Sequence, residues 1–332
     1  MFKWSMALMT LILAAALGSG TATAADYNLK MQTYYSPTTA MGAQFFADQV
    51  KKLTDGKVDV QVFTGGELVG SGNILKSVRN GMIDIGHGMG HHFTERKSGQ
   101  LESGLPMSWM SPVEADVIYE RRGLKKLVGD DYEKLGVVYL GPTWAAPYTI
   151  LSKEPIRSLD DMRKMKIRAV GAAAKMLTQL GVNVVSMPPE DIYMALTTGQ
   201  IDGVVYGSPA EYKENKFYEA APWINVTPLI DPITDTLIIN KKTWEKMPEQ
   251  IRAAILAAAD ETRWAYYIWS ADESLKALKE VFKDKITTFP PEDQKELVKA
   301  AEKIWEEEAQ KSDDAKAGVE VLKDFARSSG RL

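Results

Sequence analysis

One arginine is the residue whose type and position most suggest chemistry in this sequence. Arg168 lies inside the short apolar segment MKIRAV, residues 165–170, which is typical of a buried strand that leads into a helix. A guanidinium stays charged in proteins and carries five N–H donors in a planar fork, so it suits a carboxylate or a sulfonate. No nucleophile motif, metal-ligand motif or phosphate loop accompanies it in the sequence. The pattern therefore predicts a site that binds an organic anion without transforming it.

The three histidines, His87, His91 and His92, form the only histidine cluster of the sequence. A metal site needs ligands that converge, whereas neighbouring side chains on a strand point to opposite faces, as those of His91 and His92 would. We therefore expect no metal here and interpret the three histidines as the polar rim of a loop near Met89.

Aromatic residues are the next candidates for a ligand site. Tyr206 ends the predicted strand 201–206, and the carboxyl end of a strand in an open wound sheet faces the ligand crevice. Trp144 and Tyr148 flank residues 145–147, where the chain is expected to leave its first unit, so both are candidates for the same wall. The aromatic residues of a predicted long helix are instead assigned to the core: Trp264, Tyr267 and Trp269.

Composition and charge narrow the class of protein. The 332 residues are enough for two domains, and the formal net charge of −4 disfavours nucleic acid or an anionic membrane as partner. The absence of cysteine removes disulfides, thiol nucleophiles and cysteine metal sites.

An apolar run at residues 6–17 follows Lys3 and precedes an A-x-A pattern that ends at Ala24. Because about 20 apolar residues are needed to span a bilayer, we expect a cleaved signal peptide, residues 1–24, and a periplasmic protein.

Strands alternate with helices in two stretches, about 27–85 and 151–226, which predicts parallel, wound sheets of an α/β protein. The segments NGMIDIGHG and TGQIDGVVYG echo each other, and their aspartates, Asp84 and Asp202, are interpreted as structural carboxylates. Apolar residues recur at helical spacing without a breaker from 249 to 283, which predicts one helix about 50 Å long. We expect the polar tail, 311–332, to be loosely packed.

Four segments together resemble the extracytoplasmic solute-binding proteins of tripartite ATP-independent periplasmic (TRAP) transporters, the DctP-like family. They are KVDVQVFTGGELVG (57–70), VRNGMIDIGHG (78–88), KIRAVG (166–171) and MPPEDIYMALTTGQIDGV (187–204). The resemblance implies a two-lobe clam-shell with a long helix that spans both lobes. The lobes implied are residues 25–147 plus about 234–268 for lobe I, and 148–233 plus about 269–332 for lobe II.

The resemblance also implies roles for individual residues. In this family the arginine at the position of Arg168 makes the main salt bridge to a ligand carboxylate. The second arginine and the asparagine of many dicarboxylate and sugar-acid members fall here near Tyr148 and on Tyr206, so a second ligand carboxylate lacks its partner. This pattern is similar to the branch that binds small monocarboxylates. Some of those members bridge the ligand with a cation, but Val205 stands where they have an acid, so we expect no metal and no cofactor.

The residues and the resemblance together predict a periplasmic substrate-binding subunit, not an enzyme, that captures a small organic anion and delivers it to membrane permease subunits. The expected anion is a monocarboxylate such as a 2-oxo or 2-hydroxy acid. Its expected ligand-binding residues are Arg168, Tyr206, Trp144, Tyr148, Tyr34, Met89 and Asp231. In this reading Asp231 accepts a hydrogen bond from a ligand hydroxyl, and Tyr34 and Met89 close the site from the first lobe. The alternatives are a receptor for an organosulfonate or an aromatic acid, a two-lobe receptor of another transporter class, and an exported α/β hydrolase.

Overall fold

A computed structural model describes residues 25–187 and 189–332, and the expected signal peptide lies outside these residues. The strands are β1 Tyr27–Thr33, β2 Val58–Phe63, β3 Ile85–Gly88, β4 Val137–Trp144, β5 Tyr148–Ser152, β6 Lys166–Arg168, β7 Asn183–Val185, β8 Gly203–Val205, β9 Trp223–Ile230, β10 Thr234–Asn240 and β11 Ile286–Thr287. The helices are α1 Met41–Leu53, α2 Ile74–Arg79, α3 Gly99–Ser103, α4 Pro112–Asp116, α5 Leu124–Lys134, α6 Leu159–Arg163, α7 Gly171–Gln179, α8 Ile192–Thr197, α9 Pro209–Glu214, α10 Lys241–Glu245, α11 Glu249–Thr262, α12 Ala265–Ala277, α13 Pro291–Ala309 and α14 Asp313–Ser328. Two π-helical turns lie at Val117–Arg121 and Leu278–Phe282.

Two sheets form the two lobes of this α/β fold. The first has the strand order β2-β1-β3-β10-β4 and the second β11-β9-β5-β8-β6-β7. In the first sheet β1, β2 and β3 are parallel, whereas β10 is antiparallel to both of its neighbours. In the second sheet β5 is antiparallel to β8 and β9. The prediction of parallel pairing is therefore confirmed for β1, β2 and β3 and for β6, β7 and β8. The sheets are mixed because the strands that carry the chain between the lobes pair with reversed direction.

The echo between the two sequence segments is a structural repeat. Asp84 precedes β3 and accepts a hydrogen bond from the backbone N–H of Lys30 at 2.9 Å, while its own N–H donates to the carbonyl of Lys30 at 2.9 Å. Asp202 precedes β8 and makes the same pair of bonds with Lys166, at 2.9 and 2.8 Å. Each carboxylate thus fixes the register of two parallel strands, which confirms that both are structural.

Three crossings of the chain between the sheets lie side by side. They are residues 145–147, 231–233 and 263–264. The N–H of Ala145 donates to the carbonyl of Ile233 at 2.9 Å, and the N–H of Ile233 donates to the carbonyl of Ala146 at 3.2 Å. The N–H of Trp144 donates to the carbonyl of Arg263 at 2.8 Å. Backbone hydrogen bonds therefore join the connections into one junction at the base of the two lobes.

The long helix predicted over residues 249–283 is interrupted. Helix α11 ends at Thr262, α12 begins at Ala265, and a π-helical turn follows from Leu278. The carbonyl of Arg263 accepts the N–H of Trp144 at the junction, so a contact from the neighbouring crossing occupies the group that would continue the helical ladder. The sequence pattern could not predict this break, because the apolar residues keep helical spacing on both sides of it.

The expectation of a loosely packed tail was also wrong. Helix α14 buries one face, including Val319, Leu322 and Ala326. It packs against α5 of the first lobe, where Lys134 reaches Asp314 at 2.6 Å. Helix α13 packs against α7 of the second lobe. Assigning all of residues 269–332 to the second lobe therefore does not describe the packing of the last helix.

Candidate functional site

A cavity of about 720 Å³ lies between the lobes, and residues of both sheets line it. Five of the seven expected ligand-binding residues lie on its wall: Tyr34, Met89, Tyr148, Arg168 and Tyr206. Tyr34 and Met89 follow the carboxyl ends of β1 and β3, and Tyr206 follows that of β8. Parallel strands deliver these residues to one edge of each sheet, where wound sheets form their crevices.

Arg168 ends β6 and is 4% exposed. Its Nε and Nη2 donate to the carbonyl of Met187 at 3.2 and 3.0 Å, and Nη1 donates to the carbonyl of Val205 at 3.2 Å. Three of the five N–H donors are thereby used, which leaves one on each terminal nitrogen. No carboxylate of the described residues comes within 4.0 Å of the guanidinium. Arg168 is thus a buried cation, held in place by backbone carbonyls and without an anionic partner.

The first turn of α7 lies beside Arg168, and residues 171–173 line the same cavity. The residue before the helix, Val170, has no side chain that can cap the first N–H groups. Uncapped N–H groups and the positive end of the helix dipole favour an anion at this position. Arg168 and the start of α7 therefore form one positively polarised corner of the cavity.

Tyr148 and Tyr206 wall the space next to this corner. The guanidinium carbon of Arg168 lies 6.0 Å from the centre of the Tyr206 ring, which packs edge-on against Phe217. Burial raises the pKa of both tyrosines, so each hydroxyl keeps its proton and can donate a hydrogen bond. The arrangement offers a ligand one charged anchor beside two neutral donors.

A second aromatic wall comes from β1 and from α12. Tyr35 stacks on Tyr266 with ring centres 4.9 Å apart, and Trp269 lies 5.4 Å from Tyr266. All three line the cavity together with Tyr34. Trp269, predicted to belong to the core, packs against the core and also lines the cavity, and Tyr35 and Tyr266 were not predicted as ligand-binding residues. Helical periodicity marks Tyr266 and Trp269 as inward-facing, but it does not distinguish a core from a cavity wall.

The histidines divide into two groups. His91 and His92 line the cavity, as expected for a polar rim. His87 does not: it lies buried in β3, where its ring nitrogens contact the hydroxyls of Thr33 at 3.1 Å and Thr143 at 3.0 Å. Burial lowers the pKa of His91 to about 3 and also lowers that of His92, so both are neutral at the cavity wall.

Two expected ligand-binding residues, Trp144 and Asp231, do not line the cavity, and these predictions were wrong. Trp144 is fully buried and packs edge-on against Tyr119 with ring centres 5.4 Å apart. Its side chain follows the core face of β4, which the sequence does not reveal. Asp231 accepts a hydrogen bond from the hydroxyl of Tyr267 at 3.2 Å, and burial raises its pKa to about 6.

Three acidic residues that were not predicted lie at or behind the wall: Glu211 and Glu214 of α9, which line the cavity, and Asp235. Glu211 of α9 lines the cavity, and its carboxylate accepts hydrogen bonds from the backbone N–H of Ser208 at 2.9 Å and from the hydroxyl of Tyr266 at 3.4 Å. Asp235 lies behind the wall and accepts the hydroxyls of Tyr34 and Tyr35 at 2.9 and 2.8 Å. Burial raises the pKa of Glu211 and raises that of Asp235 to about 8.

The sequence model of one family, DctP, described as bacterial extracellular solute-binding protein family 7, matches residues 32–312. The chain belongs to this family. Its members are solute-binding receptors of the extracytoplasmic space, and the match decides against a receptor of another transporter class, an alternative that the interrupted helix had left open. Across residues 25–187 and 189–332, no helix is long and apolar enough to cross a membrane.

Relatives and solved structures agree with this assignment. The monocarboxylate 2-oxoacid-binding periplasmic protein of Nostoc sp. strain PCC 7120 is 26% identical over 67% of this chain, and the chain spans only 62% of that relative's length. A TRAP solute-binding protein of Bordetella bronchiseptica, solved with copurified calcium and picolinate, is 25% identical with a TM-score of 0.76 over 92% of this chain and 93% of that one. A TRAP solute-binding protein of an unidentified marine microbe, in complex with pyroglutamate, is 25% identical with a TM-score of 0.72 over 90% and 98% of the two chains.

Proposed function

We propose that this chain is the periplasmic substrate-binding subunit of a TRAP transporter, which captures a small organic monocarboxylate and delivers it to membrane permease subunits. The observation that carries the proposal is the unpaired guanidinium of Arg168. A buried charge without a partner is costly, and a ligand carboxylate that takes the two remaining N–H donors would remove that cost. The uncapped start of α7 supports the same position for the anion.

The charge of the cavity wall favours one carboxylate rather than two. Of the lysine and arginine residues that the structure describes, Arg168 alone lines the cavity. The position near which many relatives carry a second arginine is held by Tyr148, a neutral donor, and His91 and His92 are uncharged. A dicarboxylate would therefore bury its second charge unpaired, which disfavours it.

The relatives support a small acid with an oxygen or nitrogen beside its carboxylate, such as a 2-oxo or 2-hydroxy acid. The protein of Nostoc is named for 2-oxoacids, and the two solved structures hold picolinate and pyroglutamate. The aromatic walls keep an aromatic acid or an organosulfonate in the set to be tested, since a tyrosine or tryptophan face packs well against a flat ligand.

The test is calorimetry of the mature protein with pyruvate, lactate, pyroglutamate, picolinate, succinate and methanesulfonate. Replacing Arg168→Ala should weaken binding of the preferred monocarboxylate by about 2–5 kcal/mol, because the ligand anion would be buried without a partner. Arg157→Ala is the matched control, since Arg157 is an exposed arginine of the same lobe. Unchanged affinity in the Arg168 variant, or tighter binding of succinate than of every monoacid, would contradict the proposal.

A further inference from the structure

A second unpaired charge lies in the same cavity as Arg168. Glu211 lines the wall, and no lysine, arginine or histidine nitrogen among the described residues comes within 4.0 Å of its carboxylate. Burial raises the pKa of this carboxyl group, which is the response expected of an acid kept away from water without a counter-ion. Arg168 and Glu211 thus have opposite charges, share one cavity and do not pair with each other.

The carboxylate of Glu211 is held in a fixed position. One oxygen, Oε2, accepts the backbone N–H of Ser208 at 2.9 Å and its hydroxyl at 3.2 Å, which closes a capping box at the start of α9. A side chain at Gly207 would collide with it, because an added Cβ would lie within 3 Å of the carboxylate. The other oxygen, Oε1, has one long contact, 3.4 Å to the hydroxyl of Tyr266, and so retains capacity to accept a hydrogen bond.

Three aromatic rings of the cavity wall form one cluster that reaches Glu211. Tyr266, which touches Glu211, stacks on Tyr35 and lies 5.4 Å from the ring of Trp269. Asp235 fixes Tyr35 from behind by accepting its hydroxyl at 2.8 Å. A carboxylate beside several aromatic faces is the arrangement that attracts an organic cation, through charge and through the negative faces of the rings.

Tyr148 and Tyr206 lie near both charges. Each of them is under the electrostatic influence of both Arg168 and Glu211, with opposite sign. The cavity therefore holds two opposite charges, the guanidinium beside the start of α7 and a carboxylate in contact with Tyr266.

We propose that the ligand is a zwitterion: a monocarboxylate that also carries an ammonium group, whose cation Glu211 receives between Tyr266, Tyr35 and Trp269. This inference rests on the proposed function, since it takes Arg168 as the carboxylate anchor. It narrows the substrate class to acids in which one molecule neutralises both charges of the cavity wall. A plain 2-oxo or 2-hydroxy acid would leave Glu211 without a partner.

The experiment compares acids that differ only in the cation. Three matched pairs serve: glycine betaine with 3,3-dimethylbutyrate, 4-aminobutyrate with pentanoate, and L-proline with cyclopentanecarboxylate. We expect the wild type to bind at least one zwitterion about tenfold or more tighter than the matched carboxylate that lacks the cationic group. If no zwitterion exceeds its match, or if no member of the three pairs binds, the proposal is overturned.

Two substitutions test whether Glu211 causes the preference for a zwitterion. Glu211→Gln keeps a residue that closes a capping box. It should remove the preference for the zwitterion without weakening the binding of the matched carboxylate that lacks a cation. Glu214→Gln is the matched control, because Glu214 is an exposed acid at the rim of the cavity on the same helix, and it should leave the preference within about twofold. Equal loss for both members of a pair in Glu211→Gln contradicts the inference. Unchanged binding in Arg168→Ala would instead contradict the proposed function, so the two failures are distinguishable.

Discussion

At the scale of single residues, the site depends on charges that the fold has buried and positioned without neutralising them. Arg168 is held by two carbonyls, and these contacts fix the direction of its fork while leaving its charge unpaired. Glu211 is held by the backbone and hydroxyl of Ser208 in the same way. In both cases neutral groups orient the ion, so the charge remains available to a ligand. This combination distinguishes a receptor site from a structural ion pair such as Arg79–Glu95.

Asp235 gives a residue-scale prediction about pH. Its pKa is about 8 in the folded protein, against an ordinary value of 3.8, so between these values the folded state holds a proton that the unfolded state has lost. Stability should therefore fall as pH rises across this window, by up to about 1.4 kcal/mol per pH unit. Asp235→Asn removes the titration; its amide oxygen can accept the hydroxyl of one of the two tyrosines, and its NH2 group can donate to the hydroxyl oxygen of the other.

The measurement is urea unfolding of wild type and Asp235→Asn from pH 5 to pH 8. The variant should become more stable relative to the wild type as pH rises. His87 has the opposite sign, since its folded pKa of about 4 makes stability rise with pH from 4 to 6.5. Its Nε2 lies 3.7 Å from a carboxylate oxygen of Asp235, so the substitution affects it too, and only the comparison from pH 6.5 to pH 8 isolates Asp235. A difference that does not change with pH would show that Asp235 does not titrate in this window.

At the scale of elements, the junction between α11 and α12 shows how packing overrides a continuous helical pattern. The Arg263 side chain at this break contacts Asp116 at 3.0 Å, Glu120 at 2.8 Å and Asp260 at 2.6 Å. It also lies 5.9 Å over the ring of Trp144. The guanidinium of Arg263 thus connects the end of α11 to α4 and to the π-helical turn Val117–Arg121. It also reduces the repulsion among the three carboxylates.

Arg263→Ala should destabilise the protein by about 1–3 kcal/mol, because Asp116 loses its cation and Glu120 and Asp260 keep only Lys125. The expected loss of stability is small because those three acids remain partly exposed, so water screens their charges. Urea unfolding measures the change. Arg252→Ala is the control on the same helix, at an arginine without an ion pair among the described residues, and should shift stability by less than about 0.5 kcal/mol. A loss no larger for Arg263 than for Arg252 would refute the role of the junction.

The same elements show what the sequence could and could not predict. The strand-end rule placed Arg168 and Tyr206 correctly, because a short apolar strand followed by a helix start can be recognised locally. Trp144 was predicted instead from its place beside residues 145–147, and that argument failed because the face its side chain takes depends on the pairing of β4 with β10, which the sequence does not show. Tyr266 and Trp269 were missed because helical spacing is the same for a core and for a cavity wall. In the sequence, Glu211 is an ordinary acid in the first turn of a helix. Only its position on the cavity wall indicates a role in ligand binding.

At the scale of the whole molecule, the lobes are joined where their crossings meet, while the cavity lies between surfaces that belong to different lobes. Tyr34 and Met89 come from the first sheet and Arg168 and Tyr206 from the second. A ligand held by Arg168 must also touch the first lobe if both surfaces are to contribute to binding. We expect hinge closure around the junction to bring them together.

Closure predicts a more compact and more stable complex. Small-angle X-ray scattering of the mature protein should show a smaller radius of gyration when the preferred ligand is present at 100 times its Kd. At this concentration a ligand that binds only the folded state raises the free energy of unfolding by about 2.7 kcal/mol. Arg168→Ala at the same ligand concentration should show neither change, because the carboxylate anchor is missing. A rise in stability without compaction would mean that ligand binds to one lobe alone, and the hinge between the crossings would then have no part in capture.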